Sequence, residues 1–288
     1  MPVPSVRGQA HPFEWRGVET QGVCGNLPCI AQDAPSCDDC RIRWVSLCAA
    51  LSDIGGAVVP SFRIAEQSFP AGHDIVEQGE AGYEFCVIID GWAVQYELVE
   101  DGSRQILDFL LPGSVAGLQP DADALSSHFV QALTAVRVCR FSKSGFLDAA
   151  RSNPDLALRL AALASRSYHR SLRRLTLIGR RPAKERVAAL LFELYRRIRP
   201  WLLSPHEDGI SLPLTQEHLG DALGLTNVHV SRMLRELREE GVLVLKRGVL
   251  RLLDPQRLIE IAGCDDHPHA RHPSSVTSIL RNGQQARI

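Results

Sequence analysis

The segment from Leu214 to Asp254, LTQEHLGDALGLTNVHVSRMLRELREEGVLVLKRGVLRLLD, leaves little freedom in how it can fold. Thr215 is a good helix N-cap, followed by acceptable first-turn residues in Gln216 and Glu217. Leu219, Ala222 and Leu223 supply an apolar face, Gly224 stops the helix, and Leu225 is expected to be buried after it. Thr226 caps a second helix, whose apolar positions Val230, Met233, Leu234 and Leu237 recur at helical spacing until Gly241. VLVLKRGVLRLL then reads as two strands around a turn at Arg247-Gly248. Helix, glycine turn, helix and hairpin together make a winged helix-turn-helix.

Such a motif predicts which side chains meet DNA. The exposed start of the second helix holds Asn227, Val228, His229, Ser231 and Arg232. Arginine is the usual bidentate reader of guanine, and serine can bond several base edges. Arg235, Lys246 and Arg247 would meet phosphates, which hold register and supply salt-dependent affinity. Thr215 and Gln216, at the start of the first helix, complete the set. An ordinary helical hairpin with a solvated basic face would share the helices. The wing, the caps and the Ser-Arg pair favour DNA.

Upstream the texture is different. From about Phe62 to residue 145, β-type runs (EFCVIID, WAVQYELV, QILDFLL, FVQALTAVRVCRF) alternate with turn signals about ten residues apart, among them two Asp-Gly pairs. That spacing predicts an all-β barrel or roll. At Asn153-Pro154 the period becomes helical. PDLALRLAALASRSYHRSLRRLTLIGRR reads as one long helix with proline tolerated in its first turn. Leu156, Leu160 and Leu163 form one apolar stripe; Ala161, Tyr168, Leu172 and Leu175 form another at heptad-like spacing. One stripe can pack on the roll, and the second asks for the same helix of another subunit, so a homodimer is expected. From Arg159 to Arg199 the chain carries twelve Lys or Arg against two acids, Glu185 and Glu193. Arg166, Arg170, Arg173 and Arg174 would face their counterparts across a dimer, and their repulsion would make it marginal.

The fold class expected is therefore α+β: an N-terminal β-roll, a long dimerisation helix and a C-terminal winged helix-turn-helix. The segments are a cysteine-rich stretch over 1–56, the roll over 57–150, the dimer helix over 151–180, the DNA-binding domain over 181–262 and a disordered tail over 263–288. A short helix is expected within 41–56. Formal net charge is −1, so global charge argues for no partner. The first fifteen residues lack the apolar stretch of a secretory signal, and no apolar run approaches the length that spans a bilayer, which predicts a cytoplasmic protein with no membrane partner. No G-x-S-x-G, Walker A or G-x-G-x-x-G motif occurs, and no enzymatic activity is expected.

Eight cysteines would then sit in a reducing compartment, at positions 24, 29, 37, 40, 48, 86, 139 and 264. Clustered cysteines there bind metal or sense redox more often than they form disulfides. Cys37, Cys40 and Cys48 fall within CDDCRIRWVSLC. Zinc modules typically show two paired knuckles and this chain has one clear C-x2-C, yet zinc and a thiol-disulfide switch both stay open. A haem sensor would look to His73 or His128. Cys86, in EFCVII, reads as core, Cys264 as inert, and Cys24 and Cys29 have no assigned role.

Roll, long helix and winged helix-turn-helix in this order resemble the CRP/FNR superfamily of bacterial transcription regulators over about residues 37–262, which implies a β-roll of the cyclic-nucleotide-binding type. The segments that carry the resemblance are FPAGHDIVEQGEAGYEFCVIIDGWAVQYELVEDGSRQILDFLLPGSVAG, FVQALTAVRVCRF, RPAKERVAALLFEL and LTQEHLGDALGLTNVHVSRML. The cyclic-nucleotide branch has a Gly-Glu-Leu stretch followed by Arg-Ser or Arg-Thr. PGSVAGLQPDADALSSHFVQALT has neither the acid nor the arginine, so no cyclic nucleotide is expected. The spacing C-x2-C-x7-C, with a lone Cys139 late in the roll, is similar to FNR-type (FnrN/FnrL-like) oxygen sensors. That resemblance implies a [4Fe–4S] cluster on Cys37, Cys40, Cys48 and Cys139. It would tie the N-terminal segment to the dimer helix, so that oxygen weakens dimerisation and DNA binding. The resemblance also implies a two-fold symmetric operator, contact with RNA polymerase, activation of low-oxygen genes and repression at some promoters. One departure stands in the recognition helix. FNR-type proteins read Thr-Val-Glu-Thr-Val/Ile-Ser-Arg, whereas this chain reads TNVHVSR. Val228 replaces an acid and cannot accept from cytosine N4, so an altered half-site is expected.

Overall fold

The structure is a computed structural model, describing residues 37, 40–51, 62–80, 84–119, 124–199 and 209–263. Cys24, Cys29, Cys264 and nearly all of the expected tail lie outside them.

Eight strands build the roll: β1 (Arg63–Phe69), β2 (Asp74–Val76), β3 (Glu84–Asp90), β4 (Ala93–Leu98), β5 (Arg104–Leu110), β6 (Val115–Ala116), β7 (Phe129–Ala132) and β8 (Val136–Ser142). One antiparallel sheet runs β1-β8-β3-β6 and the other β2-β7-β4-β5. The run FVQALTAVRVCRF, continuous in the sequence, divides at Thr134-Ala135 into strands of different sheets. The Thr134 hydroxyl accepts from Trp92 N at 3.0 Å and steers that crossover.

Strand alternation sorts β8 into two chemistries. Val136 and Val138 point into the apolar core between the sheets, with Cys86, Ile88 and Ala116. Cys139 and Phe141 point to the opposite face, with Val87, Phe85 and Phe146. Cys86 is 5% exposed and pairs in register with Arg140, and burial pushes its thiol up to about 12. It is the core residue its sequence context suggested.

After the roll come α1 (Lys143–Ser152), capped by Ser142, and α2 (Pro154–Arg180), capped by the Asn153 side chain accepting from Asp155 N. The two apolar stripes of α2 separate as expected. Leu156 is fully buried, and Leu160 and Leu163 pack beside it on the roll. Ala161, Tyr168, Leu172 and Leu175 are exposed, Tyr168 at 61% and Leu175 at 69%. The arginines of α2 do not stand as the sequence suggested. Arg170 Nη2 reaches Asp108 Oδ2 at 2.9 Å, and buried Arg174 donates to Leu107 O at 2.7 Å and lies 3.9 Å from Asp108 Oδ1. Two of the four charges expected to repel a partner are thus spent inside the chain, on a carboxylate about 60 residues earlier in the sequence.

The C-terminal domain holds α3 (Ala183–Ile198), β9 (Ile210–Ser211), α4 (Gln216–Leu223), α5 (Asn227–Glu239), β10 (Leu243–Lys246), β11 (Val249–Leu252) and α6 (Pro255–Ala262). β9 extends the wing to three strands, β10-β11-β9. The middle of α3 is apolar on every side, with Val187 to Phe192 all buried in the core of this domain. That core is continuous with Val94, Tyr96, Ile106 and Phe109 of the roll. Polar contacts follow the same junction: Arg104 Nε pairs with Asp221 Oδ2 at 2.9 Å, and Gln105 Nε2 donates to Asp221 O at 2.7 Å. Asp108 also pairs with Arg197 of α3 at 3.2 Å, so one buried carboxylate joins roll, long helix and C-terminal domain.

The helix expected within 41–56 is shorter and of another kind: a turn over 41–45 and a 3-10 helix, Leu47–Leu51, with 52–61 outside the described residues. The carbonyls of Val45 and Ser46 accept from Arg159 of α2, and Ser46 O also accepts from Ala49 N at 3.2 Å, the spacing of a 3-10 turn. No described helix is long and apolar enough to cross a membrane.

Candidate functional site

Two sites emerge, one on the C-terminal domain and one on the outer face of the roll. The first is the helix-turn-helix. Thr215 Oγ1 accepts from His218 N at 3.1 Å and His218 Nδ1 accepts from Thr215 N at 3.2 Å, a capping box closed by histidine where Glu or Gln is usual. Gly224 takes φ +62 at the C-cap, which L side chains rarely adopt. Gly220 matters for a different reason: a Cβ there would lie 2.5 Å from Leu225 O, so only glycine lets α4 approach the turn. That requirement went unnoticed in the sequence. Thr226 caps α5 by accepting from His229 N at 3.3 Å. Val230, Met233 and Leu237 are buried, which fixes the rotation of α5 about its axis.

With that rotation set, Val228, His229, Ser231, Arg232 and Arg235 are all exposed on one helix, Val228 at 77%. Thr215 and Gln216 at the start of α4 and Lys246 at the wing are exposed too. Arg232 and Arg235 rest near Glu236 and Glu239 at 3.9 and 3.7 Å, with each arginine more than half exposed. Such pairs contribute little and release their arginines readily. The wing turns at Arg247 (φ 51) and Gly248 (φ 73), a tight hairpin with both central residues left-handed.

The second site gathers Cys37, Cys40, Cys48 and Cys139 around a cavity of about 130 Å³. Three come from the N-terminal segment and one from β8, an inner strand of its sheet. Cys139 pairs with Glu66 of β1 on one side and Val87 of β3 on the other. A register shift between Arg63 and Ala65 brings Arg63 and Glu66 to the same face, where straight alternation would part them. Arg63 Nη1 donates to Cys37 Sγ at 3.5 Å, and Arg137 Nη1 donates to Glu66 Oε1 at 2.7 Å. All four thiols are free. Burial pushes the Cys48 thiol up to about 11 and the Cys139 thiol to about 12, against the pull of Ser46 and Arg63 respectively. Metal ligation needs the thiolate, so loading must displace these protons. Among the described residues no three His, Cys, Asp or Glu side chains stand at the spacing of a single metal ion. His73 and His128 do not line this cavity; each bonds within its own loop, to Ala71 O and the Ser127 hydroxyl.

A β-roll, a long helix and an exposed winged helix-turn-helix define a DNA-binding regulator. Comparison with known proteins bears this out. Crp-like helix-turn-helix domains match residues 185–261 and cyclic nucleotide-binding domains match residues 66–153. The nitrogen fixation regulation protein FixK of Bradyrhizobium diazoefficiens is 32% identical over 228 residues, spanning 78% of this chain and 93% of that protein. The transcriptional activator protein FnrL of Cereibacter sphaeroides is 30% identical over 233 residues, 80% of this chain and 92% of the relative. The solved structure of FixK2 from Bradyrhizobium japonicum superposes with a TM-score of 0.62 at 30% identity, covering 68% of this chain and 96% of that one. The chain belongs to the CRP/FNR family and is of the FNR type. Like its relatives it is a transcription regulator that binds DNA through its helix-turn-helix, and not an enzyme.

Proposed function

We propose that this regulator senses oxygen through a [4Fe–4S] cluster held by Cys37, Cys40, Cys48 and Cys139. One observation carries the reading: a cysteine triplet and a strand cysteine far apart in sequence line one cavity. The donor set fits the group. A four-iron cluster takes one thiolate per iron, and four thiols face a shared space. Arg63 and Arg137 beside them place positive charge where an anionic cluster would sit. When bound, the cluster supplies oxygen-sensitive redox chemistry. The chain's own residues do the rest: the four cysteines would anchor their segment to β8, and the apolar cluster that Ile42 and Leu47 share with Leu156 would carry that anchorage to α2. Two chains would pair through Ala161, Tyr168, Leu172 and Leu175, and loss of the anchorage would weaken the pair.

The paired chains would bind a two-fold symmetric operator in the cytoplasm and work with RNA polymerase, mainly as an activator of low-oxygen genes. Leu118 and Gln119 follow Gly117 where a cyclic-nucleotide site would place an acid, which supports a roll that takes no cyclic nucleotide. Val228, His229, Ser231 and Arg232 would read bases, while Thr215, Gln216, Arg235 and Lys246 would hold the backbone.

An absorption spectrum of anaerobically purified protein, with iron and acid-labile sulfide assayed on the same sample, tests the sensor. About four iron and four sulfide per chain are expected, bleaching in air. A colourless protein carrying zinc or no metal would overturn the cluster and leave the DNA-binding assignment standing. The reading head has its own test. Arg232→Ala should weaken operator binding about a hundredfold or more, since about 1–3 kcal/mol is lost in each of two half-sites. Val228→Glu should change the sequence selected from randomised DNA, toward a half-site offering a cytosine N4. Identical selection by the two proteins would refute a base-reading role for position 228.

A further inference from the structure

Arg159 lies on α2 but serves the cysteine segment. It is 7% exposed, its Nε donates to Ser46 O at 3.2 Å and its Nη2 donates to Val45 O at 3.1 Å. Among the described residues no carboxylate pairs with it; burial and the nearby Arg166 both work against its charge. A buried cation held by two carbonyl dipoles alone depends closely on where those carbonyls stand. The two carbonyls belong to residues between Cys40 and Cys48, in the turn that Val45 N and Ser46 N close on Ile42 O. On the helix, the neighbours of Arg159 begin the outward stripe: Leu158 is 57% exposed and Ala161 is exposed. The same side chain therefore touches the cysteine-bearing turn at one end and is rooted between outward-facing residues of α2 at the other.

We infer that Arg159 is the positioning residue through which the state of the cysteine site reaches the outward face of α2. The inference rests on the reading of those cysteines as the sensor. With the segment anchored, the carbonyls of Val45 and Ser46 stay in place and the first third of α2 is held to the roll. With the anchorage lost, the turn shifts, both hydrogen bonds go, and a desolvated guanidinium without partners moves that part of α2 with it.

The test uses the full chain, purified anaerobically, as wild type, Arg159→Met and Arg159→Lys. Iron and sulfide per chain and the monomer–dimer dissociation constant are measured before and after admitting air. Wild type is expected to weaken in dimerisation about tenfold or more on exposure, within the usual range of coupling. Arg159→Met should keep its iron and sulfide while that change falls to about threefold or less, and Arg159→Lys, which retains one donor, should recover part of it. A methionine variant with the full wild-type change overturns the inference. So does one that loses its iron, because the arginine would then build the cysteine site and not relay from it. If wild type itself carries no cluster, the sensor reading fails, and the arginine is judged by amide exchange in the metal-free protein. There Arg159→Met should speed exchange at Ser46 and Ala49 about tenfold if it holds the turn, and unchanged exchange rejects it.

Discussion

Replacing Asp108 by alanine will lower the thermal midpoint of this protein by roughly 10 °C. The carboxylate is 5% exposed and stands among Arg170, Arg174 and Arg197, from two different helices. Removing it takes the shared counter-charge from buried Arg174 and from half-buried Arg170 and Arg197, and leaves only Glu193, at 3.7 and 3.3 Å, beside Arg174 and Arg197. Breaking a buried pair in this way costs about 3–5 kcal/mol, and a chain of this size loses about 2–4 °C per kcal/mol. Backbone acceptors at Leu107 and Phe109 still hold Arg174 and Arg197, at 2.7 and 2.6 Å, so the fold survives the change.

The same residue gives a pH signature. Burial alone would raise the Asp108 pKa, but Arg197, Arg170 and Arg174 outweigh it and hold the value at about 2, below the ordinary 3.8. A depressed carboxylate contributes stability that is fully present above its unfolded value and is lost as pH falls through the folded one. The gap between wild type and Asp108→Asn should therefore be constant above about pH 5 and close between pH 4 and pH 2. Thermal unfolding across that window checks it. A gap that stays open at pH 2 would mean the charge of Asp108 does not carry the stabilisation.

The second large effect is expected at Cys139. Cys139→Ser should drop iron and sulfide from about four to under one per chain, because the cluster needs one thiolate per iron. Cys86→Ser, one strand away, should leave loading unchanged. The two cysteines lie on opposite faces of the same sheet, Cys139 in the cavity with Cys37, Cys40 and Cys48, and Cys86 between the sheets. Metal analysis of both variants beside wild type is sufficient. If Cys86→Ser loses its iron and Cys139→Ser keeps it, the ligand set proposed here is wrong.

Much of this architecture was legible in the chain. The caps at Thr215 and Thr226, the glycine at 224 and the change of period at Asn153-Pro154 are local signals, decided by hydrogen bonds and rotamers within a few residues. The same holds for the two stripes of α2 and for the exposed set on α5, since helical period alone sorts inward from outward positions. Other features depend on partners that sequence spacing cannot name. The run from Phe129 to Phe141 looked continuous, yet a crossover at Thr134-Ala135 sends its halves to different sheets. Where a short helix was expected within 41–56, the chain forms a turn and a 3-10 helix, and Arg159, more than a hundred residues later, donates to the Val45 and Ser46 carbonyls. The basic run on α2 read as a surface that repels its twin, until Asp108 was found to absorb two of its charges.

The sequence by itself thus determined the order of elements, the winged helix-turn-helix, the residues it exposes and the cysteine spacing. Those properties follow from periodicity, capping and turn chemistry, which act over one or two turns of chain. Only the tertiary structure decided that Cys139 faces the triplet while Cys86 does not, that a bulge turns Arg63 and Glu66 to the same cavity, and that Asp108 and Arg159 join separate elements. Each is set by strand register or by a buried charge seeking a partner, and both require distant segments to be already in contact.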